Sequence, residues 1–366
     1  MKNDYELVTD SSRLAALIDS WRGIPISLDT EFVRTQTYYS RPGLVQLGIG
    51  GKITLIDPIS ISDISMLGPL LSDPATLKIL HAGAEDLSLL VQLTGHTPAP
   101  LFDSQIAAAL VGRGASESYH GLVQALLGIE LPKGETRSDW CQRPLRPTQL
   151  GYAADDVRYL PGIQGVLAEE LSNLGRSEWV REECGYLVEP FPTPSYARAR
   201  ATGKLTRREL AVTSELWAWR EHEARSRDLP RARILSDVTL IAIAQASPPH
   251  RERLSRIDGI SPRLIRKSGD SILKAVEAGK ALPEDACPLP VTVPPSHRNL
   301  VDSLRQRVRQ CAETHGLAPE VIASRRQLEA VVISAIYNRI DRRNPLLNGW
   351  RKEVLGPEFR AALESS

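Results

Sequence analysis

The stretch Ile26–Arg34, "ISLDTEFVR", decides how the first half of the chain reads. Its apolar residues make it a strand: Ile24, Ile26 and Leu28 precede two acids, and Phe32 and Val33 follow them. Residues i and i+2 of a strand point to the same face, so Asp29 and Glu31 stand side by side. Two neighbouring carboxylates repel and are costly to desolvate unless a cation lies between them. A solvated strand end would explain the pair equally well, so the D-x-E spacing alone is a weak signal.

Working outward, the same alternation recurs. "GLVQLGIGGKITLIDP" reads as two strands turning at Gly50-Gly51, "LKILHA" as another strand, and "EDLSLLVQLTG" as a helix ending at Gly95. "LFDSQIAAALVG" reads as a strand end followed by a helix. A hairpin followed by βα units implies a mixed sheet covered by helices. Two proline-rich stretches, Val188–Lys204 and Ala281–His297, read as linkers. Beyond the first, apolar spacing is helical throughout, with a plausible N-cap at Ser236 or Asp237. The expected division is 1–190 α/β, 191–203 linker, 204–284 helical, 285–296 linker and 297–366 helical.

The whole chain of 366 residues has a net charge of +1, which conceals an asymmetry. Residues 1–190 hold 15 Lys and Arg against 24 Asp and Glu, a net of −9, whereas 191–366 hold 30 against 20, a net of +10. An acidic half suits a metal site and a basic half attracts polyanions. The four cysteines are scattered without a C-x-x-C, which reads as free thiols in a reducing compartment. No apolar run spans a bilayer and the N-terminus lacks a signal-peptide pattern, so the expectation is a cytoplasmic protein with no membrane partner.

A nuclease using two metal ions needs about four converging carboxylates. Downstream of Asp29, "HAGAEDLSLL" offers Glu85 and Asp86 at a strand–helix junction. "YAADDVRYL" offers Asp155 and Asp156; Tyr152 and Asp156 are four apart and share a helix face, from which Asp155 points about 100° away. In order, "LDTEFVR", "HAGAEDLSLL", "LFDSQIAAAL", "RSDWCQRPL" and "YAADDVRYL" resemble the motifs of the DEDD superfamily of 3′→5′ exonucleases, Y-x-x-x-D subclass, and within it the ribonuclease D family. The two helical parts are similar to HRDC modules, and "NPLLNGWRKEVLG" looks like the end of the second.

The resemblance implies a ribonuclease H-like mixed-sheet exonuclease domain followed by two all-α HRDC domains. It implies two divalent ions, Mg2+ or Mn2+, held by Asp29, Glu31, Asp86 and Asp156, with Asp29 bridging both. Tyr152 would orient the attacking water; an unperturbed pKa near 10 makes it a poor base at neutral pH. Thr30 belongs to the substrate-binding set by the same resemblance. Phe32 would stack on the terminal base or sit in the core, and Arg34 would touch phosphate or be solvated. Gln46 would bond ribose or base, and His81 would contact the scissile end or be a satisfied strand-end histidine. Trp140 reads as loop packing, Asp103 as an N-cap and Asp139 as a loop hydrogen-bonder. Gly151 would weaken the helix that carries Tyr152.

The function implied is that of a monomeric 3′→5′ exoribonuclease that releases 5′-mononucleotides and trims tRNA precursors and other small structured RNAs. The basic half would grip the RNA. A DNA exonuclease of the same superfamily, and an inactive nucleic-acid-binding adaptor, are the alternatives; the filled acidic positions argue against the second.

Overall fold

The computed structural model describes residues 4–132, 134–135, 138–191 and 202–364. Most of the expected first linker, residues 192–201, lies outside the described residues. Six strands form one sheet: β1 (Tyr5–Val8), β2 (Ile26–Val33), β3 (Arg41–Ile49), β4 (Lys52–Ile56), β5 (Lys78–Leu80) and β6 (Leu101–Asp103), in the order β1-β4-β3-β2-β5-β6. The β2–β3 and β3–β4 pairs are antiparallel and the other three are parallel. The β3–β4 hairpin turns through Gly50 and Gly51, with φ of +55° and +79°, the left-handed pair that a tight two-residue hairpin requires. The mixed sheet inferred from the alternation is therefore present.

β2 sits at the centre of the sheet. Its Ile26 and Leu28 are buried, whereas Asp29 and Glu31 on the opposite face are only partly covered. The helix Pro147–Arg158 lies over this second face, against β2, β3 and β4. Gly48 allows that approach: a Cβ there would come within 3.1 Å of the Ser27 Cβ and 3.3 Å of the Val157 carbonyl oxygen. The helix is continuous through Gly151, because Arg146 and Gln149 cap its start and the sheet beneath holds it. The local weakness expected of that glycine does not break the element.

The first helical domain pairs two long helices, Arg207–Ser226 and Pro262–Ala281. They cross closely at Gly279, where a Cβ would lie 2.4 Å from the Val212 Cα. The second is built from Arg298–His315, Arg325–Ile336 and Gly349–Glu364, the last broken at Gly356 before Pro357. No described helix is long and apolar enough to cross a membrane.

The domains are not beads on a string. The second helical domain shares one apolar core with the sheet domain. Trp350 stacks on Trp179 with ring centroids 4.7 Å apart, Arg351 pairs with Glu183, and Arg176 donates to the carbonyls of Leu110 (2.6 Å) and His315 (2.5 Å). The first helical domain meets the loop after β2. The Tyr39 amide donates to Asp228 at 3.0 Å, and the Tyr38 hydroxyl contacts Glu221, Arg225 and Arg231. The second proline-rich stretch is fastened rather than free: Arg207 and Arg339 both donate to the carbonyl of the fully buried Cys287, at 2.9 and 3.1 Å.

Candidate active site

Three elements deliver the acids. β2 supplies Asp29 and Glu31 on one face. The helix Pro147–Arg158 supplies Tyr152 and Asp156 one turn apart. The helix Ala84–Thr94 supplies Asp86 in its first turn, where the helix dipole favours a carboxylate. Asp29, Glu31 and Asp156 bring ligand oxygens within 4.8 Å of one another. Asp86 lines the same open cavity, of about 260 Å³, together with Tyr152.

The acids are positioned by groups behind them. The Thr30 backbone N–H donates to Asp86 Oδ1 at 3.1 Å, and its hydroxyl donates to the same oxygen. Asp103 caps its own helix through Gln105 and Ile106 and also accepts from Ala82 (3.1 Å) and Gly83 (3.0 Å). It thereby clamps the turn that leads to Asp86. Ala82 in that turn has φ of +54°, a left-handed conformation costly for a residue with a Cβ and sustained only by such a clamp. Tyr152 packs near Trp140, with ring centroids 6.2 Å apart, and its ring leaves no room for a Cβ at Gly134. Trp140 itself is buried, and Asp139 accepts from the Cys141 amide at 2.9 Å.

Repulsion and desolvation dominate the electrostatics. Burial, then the charges of Asp86, Asp156 and Glu31, hold the Asp29 carboxyl well above its usual range. Burial and the same neighbouring acids push Glu31 up to about 9. Asp156 rises to about 7, mainly through burial, opposed by hydrogen bonding from Tyr152. Burial raises Asp86 against the pull of Thr30. The Tyr152 phenol is pushed up by burial and then by Asp156, Glu31 and Asp29, so it is neutral at pH 7 and acts only as a hydrogen-bonding group.

No cationic side chain lines this cavity among the described residues. Four crowded carboxylates without a counter-charge fit a divalent cation. An all-oxygen donor set suits magnesium or manganese rather than zinc. The cluster is thus a candidate metal site.

The remaining expected residues separate. Thr30, Phe32 and His81 line the cavity. The His81 Nδ1 lies 2.9 Å from the Ser104 hydroxyl, and burial lowers its pKa, so the ring is neutral at pH 7. Arg34 is exposed and outside the lining. Gln46 pairs with Asp29 across the β2–β3 ladder but is fully buried under the helix that carries Tyr152. A side chain without surface cannot touch ribose or base, so the expected substrate contact does not form here. Asp155 pairs with Arg158 at 2.8 Å, away from the cavity. Tyr119 is the residue that sequence reasoning missed. It lines the cavity and donates to the Asp155 carbonyl at 2.7 Å, which ties it to the Tyr152 helix. Nothing in "SESYHGL" signals this.

Comparison with known proteins agrees with this geometry. The family described as 3′-5′ exonuclease matches residues 5–172, the HRDC domain family residues 209–276, and the family described as ribonuclease D, C-terminal HRDC domain, residues 295–359. Ribonuclease D of Pseudomonas paraeruginosa is 39% identical over 99% of this chain and 98% of its own length. Ribonuclease D of Escherichia coli K12 is 36% identical over 99% of both. The crystal structure of Escherichia coli RNase D, an exoribonuclease involved in structured RNA processing, superposes with a TM-score of 0.86 at 34% identity over 99% of each chain. With its whole length matched at this identity, the chain belongs to the ribonuclease D family.

Proposed function

We propose that this chain is a metal-dependent 3′→5′ exoribonuclease that releases 5′-mononucleotides. The observation that carries the reading is the convergence of Asp29, Glu31, Asp86 and Asp156 with a neutral Tyr152 in one open cavity that, among the described residues, is lined by no cationic side chain. Asp29, Glu31 and Asp156 would hold one divalent ion, and Asp29 with Asp86 a second. When bound, such ions neutralise the acids and the substrate phosphate and make water ionisable near neutral pH. The chain does the rest. Tyr152 holds the water by its hydroxyl, Thr30 and Asp103 keep Asp86 and its turn in place, and Phe32 and His81 at the wall meet the terminal nucleotide. A single-stranded end suits this cavity, since paired bases must first be splayed apart.

The substrates are 3′ ends of tRNA precursors and other small structured RNAs, gripped through the basic helical half. The domain limits are 1–190, 204–284 and 297–366, and the protein acts as a cytoplasmic monomer. The test is incubation of the full chain with 3′- and 5′-labelled RNA and DNA of equal sequence, with magnesium, manganese or EDTA. Mononucleotides released stepwise from the 3′ end of RNA, and none in EDTA, are expected. Hydrolysis unaffected by EDTA, or confined to DNA, refutes the reading.

A further inference from the structure

A second concavity, roomier than the acidic one, stands apart from it. It lies in the first helical domain, has a volume of about 520 Å³, and is walled by Arg227, Arg233, Arg263 and Lys267 with no carboxylate in its lining. Arg227 is spoken for by Glu223. The side chains of Arg233, Arg263 and Lys267 make no ion pair or hydrogen bond within the described chain, and all three residues are exposed. This is unusual here, because most arginines of that domain are matched. Arg207, Arg208, Arg220, Arg225, Arg231, Arg251 and Arg256 all have acidic partners. Three unmatched cations around one hollow with no carboxylate in its lining form a local excess of positive charge.

Two helices also begin at this cavity, Asp237–Ala246 and Pro262–Ala281, capped by the wall residues Ser236 and Ser261. Their N-terminal dipoles add to the positive potential, and their first-turn amides are donors of the kind that phosphate oxygens accept. The position matters as much as the charge. Arg227 precedes Asp228, which holds Tyr39, and the wall segment Ala232–Ser236 follows Arg231, which holds Tyr38. Residues 34–40 in turn continue directly from β2, the strand of Asp29 and Glu31. The basic hollow is thus built onto the joint that links the first helical domain to the catalytic strand.

We infer that this cavity is a seat for backbone phosphates of the RNA body while its 3′ end occupies the acidic cavity. Arg233, Arg263 and Lys267 make the charge-assisted contacts. The inference rests on the exoribonuclease reading and specifies where the basic half holds its substrate. Phosphate contacts are independent of sequence and release counterions, so their signature is salt dependence.

The experiment uses the full chain, a hairpin RNA with a single-stranded 3′ tail, and EDTA to suppress hydrolysis. Affinity is measured across a salt series for the wild type, for Arg233→Gln/Arg263→Gln/Lys267→Gln, and for Lys274→Gln, an exposed lysine of the same helix outside the cavity. Three lost contacts lower the slope of log affinity against log salt by about 2 to 3, from roughly 0.7–0.9 each, and weaken binding more than tenfold near 0.1 M salt. Lys274→Gln leaves both near the wild-type values. A triple variant with wild-type slope and affinity overturns the inference, as does a loss no greater per charge than that of Lys274→Gln. Wild-type hydrolysis of a short unstructured RNA with magnesium is followed in parallel. Its absence refutes the exoribonuclease reading itself, whereas its presence beside an unaltered triple variant refutes only the phosphate seat.

Discussion

Replacing Glu31 by Gln should stabilise the metal-free protein while it abolishes activity. Glu31 titrates at about 9 in the folded chain against an ordinary 4.5, because burial and the charges of Asp156 and Asp86 oppose its ionisation. A carboxyl raised on folding costs nothing below its unfolded pKa, where both states carry the proton. The cost grows as pH rises past about 4.5 and is complete above about 9. At pH 8, linkage sets an upper limit of about 4–5 kcal/mol for this one group. Water in the open cavity screens it, and about 2 kcal/mol is the realistic share. Gln is isosteric and cannot ionise, so the variant in EDTA at pH 8 should melt about 4–8 °C higher. At pH 4 the two proteins should melt together. Magnesium should reverse the order, because a bound ion stabilises the wild type by mass action and the variant lacks a ligand. Differential scanning calorimetry at pH 4 and 8, with EDTA and with magnesium, provides all four values. A variant that melts at or below wild type in EDTA at pH 8 would show that repulsion among these acids is not a cost in the fold.

Asp29→Ala, Asp86→Ala and Asp156→Ala should each nearly abolish RNA hydrolysis in a gel assay, while Asp155→Ala, whose carboxylate faces Arg158, should be much milder; normal activity in any two of the first three sinks the metal assignment. Tyr152→Phe keeps the ring against Trp140 and removes the hydroxyl, so turnover should fall on the order of 100-fold with little change in RNA affinity. Thr30→Val removes one of two hydrogen bonds to Asp86 and should weaken manganese binding, read by titration calorimetry, more than it lowers the melting temperature. A chain ending at residue 190 exposes Trp179 and leaves Glu183 without Arg351. It should melt well below the full chain and bind a hydrophobic dye, and a truncated domain that melts with the full chain would show that the shared core is dispensable.

Much of the site was legible in the linear chain because it rests on short-range periodicity. The D-x-E of β2 shares a face since strand side chains alternate, and Tyr152 and Asp156 share one since a helix repeats every 3.6 residues. The Gly50-Gly51 hairpin and the caps at Asp103 and Ser236 are equally local, depending on a backbone angle or on a side chain reaching two or three residues along. Contacts between distant segments left no such mark. Tyr38 finds Glu221 across 183 positions, and Trp350 finds the Glu183 carboxylate across 167. Gln46 reads like any polar strand residue until a helix a hundred positions later covers it. Tyr119 becomes part of the site only because its hydroxyl meets the Asp155 carbonyl. Burial and pairing of this kind depend on which surfaces meet when the chain closes on itself. Hydrophobic association is non-directional, so an apolar face records that it will be covered and not by what.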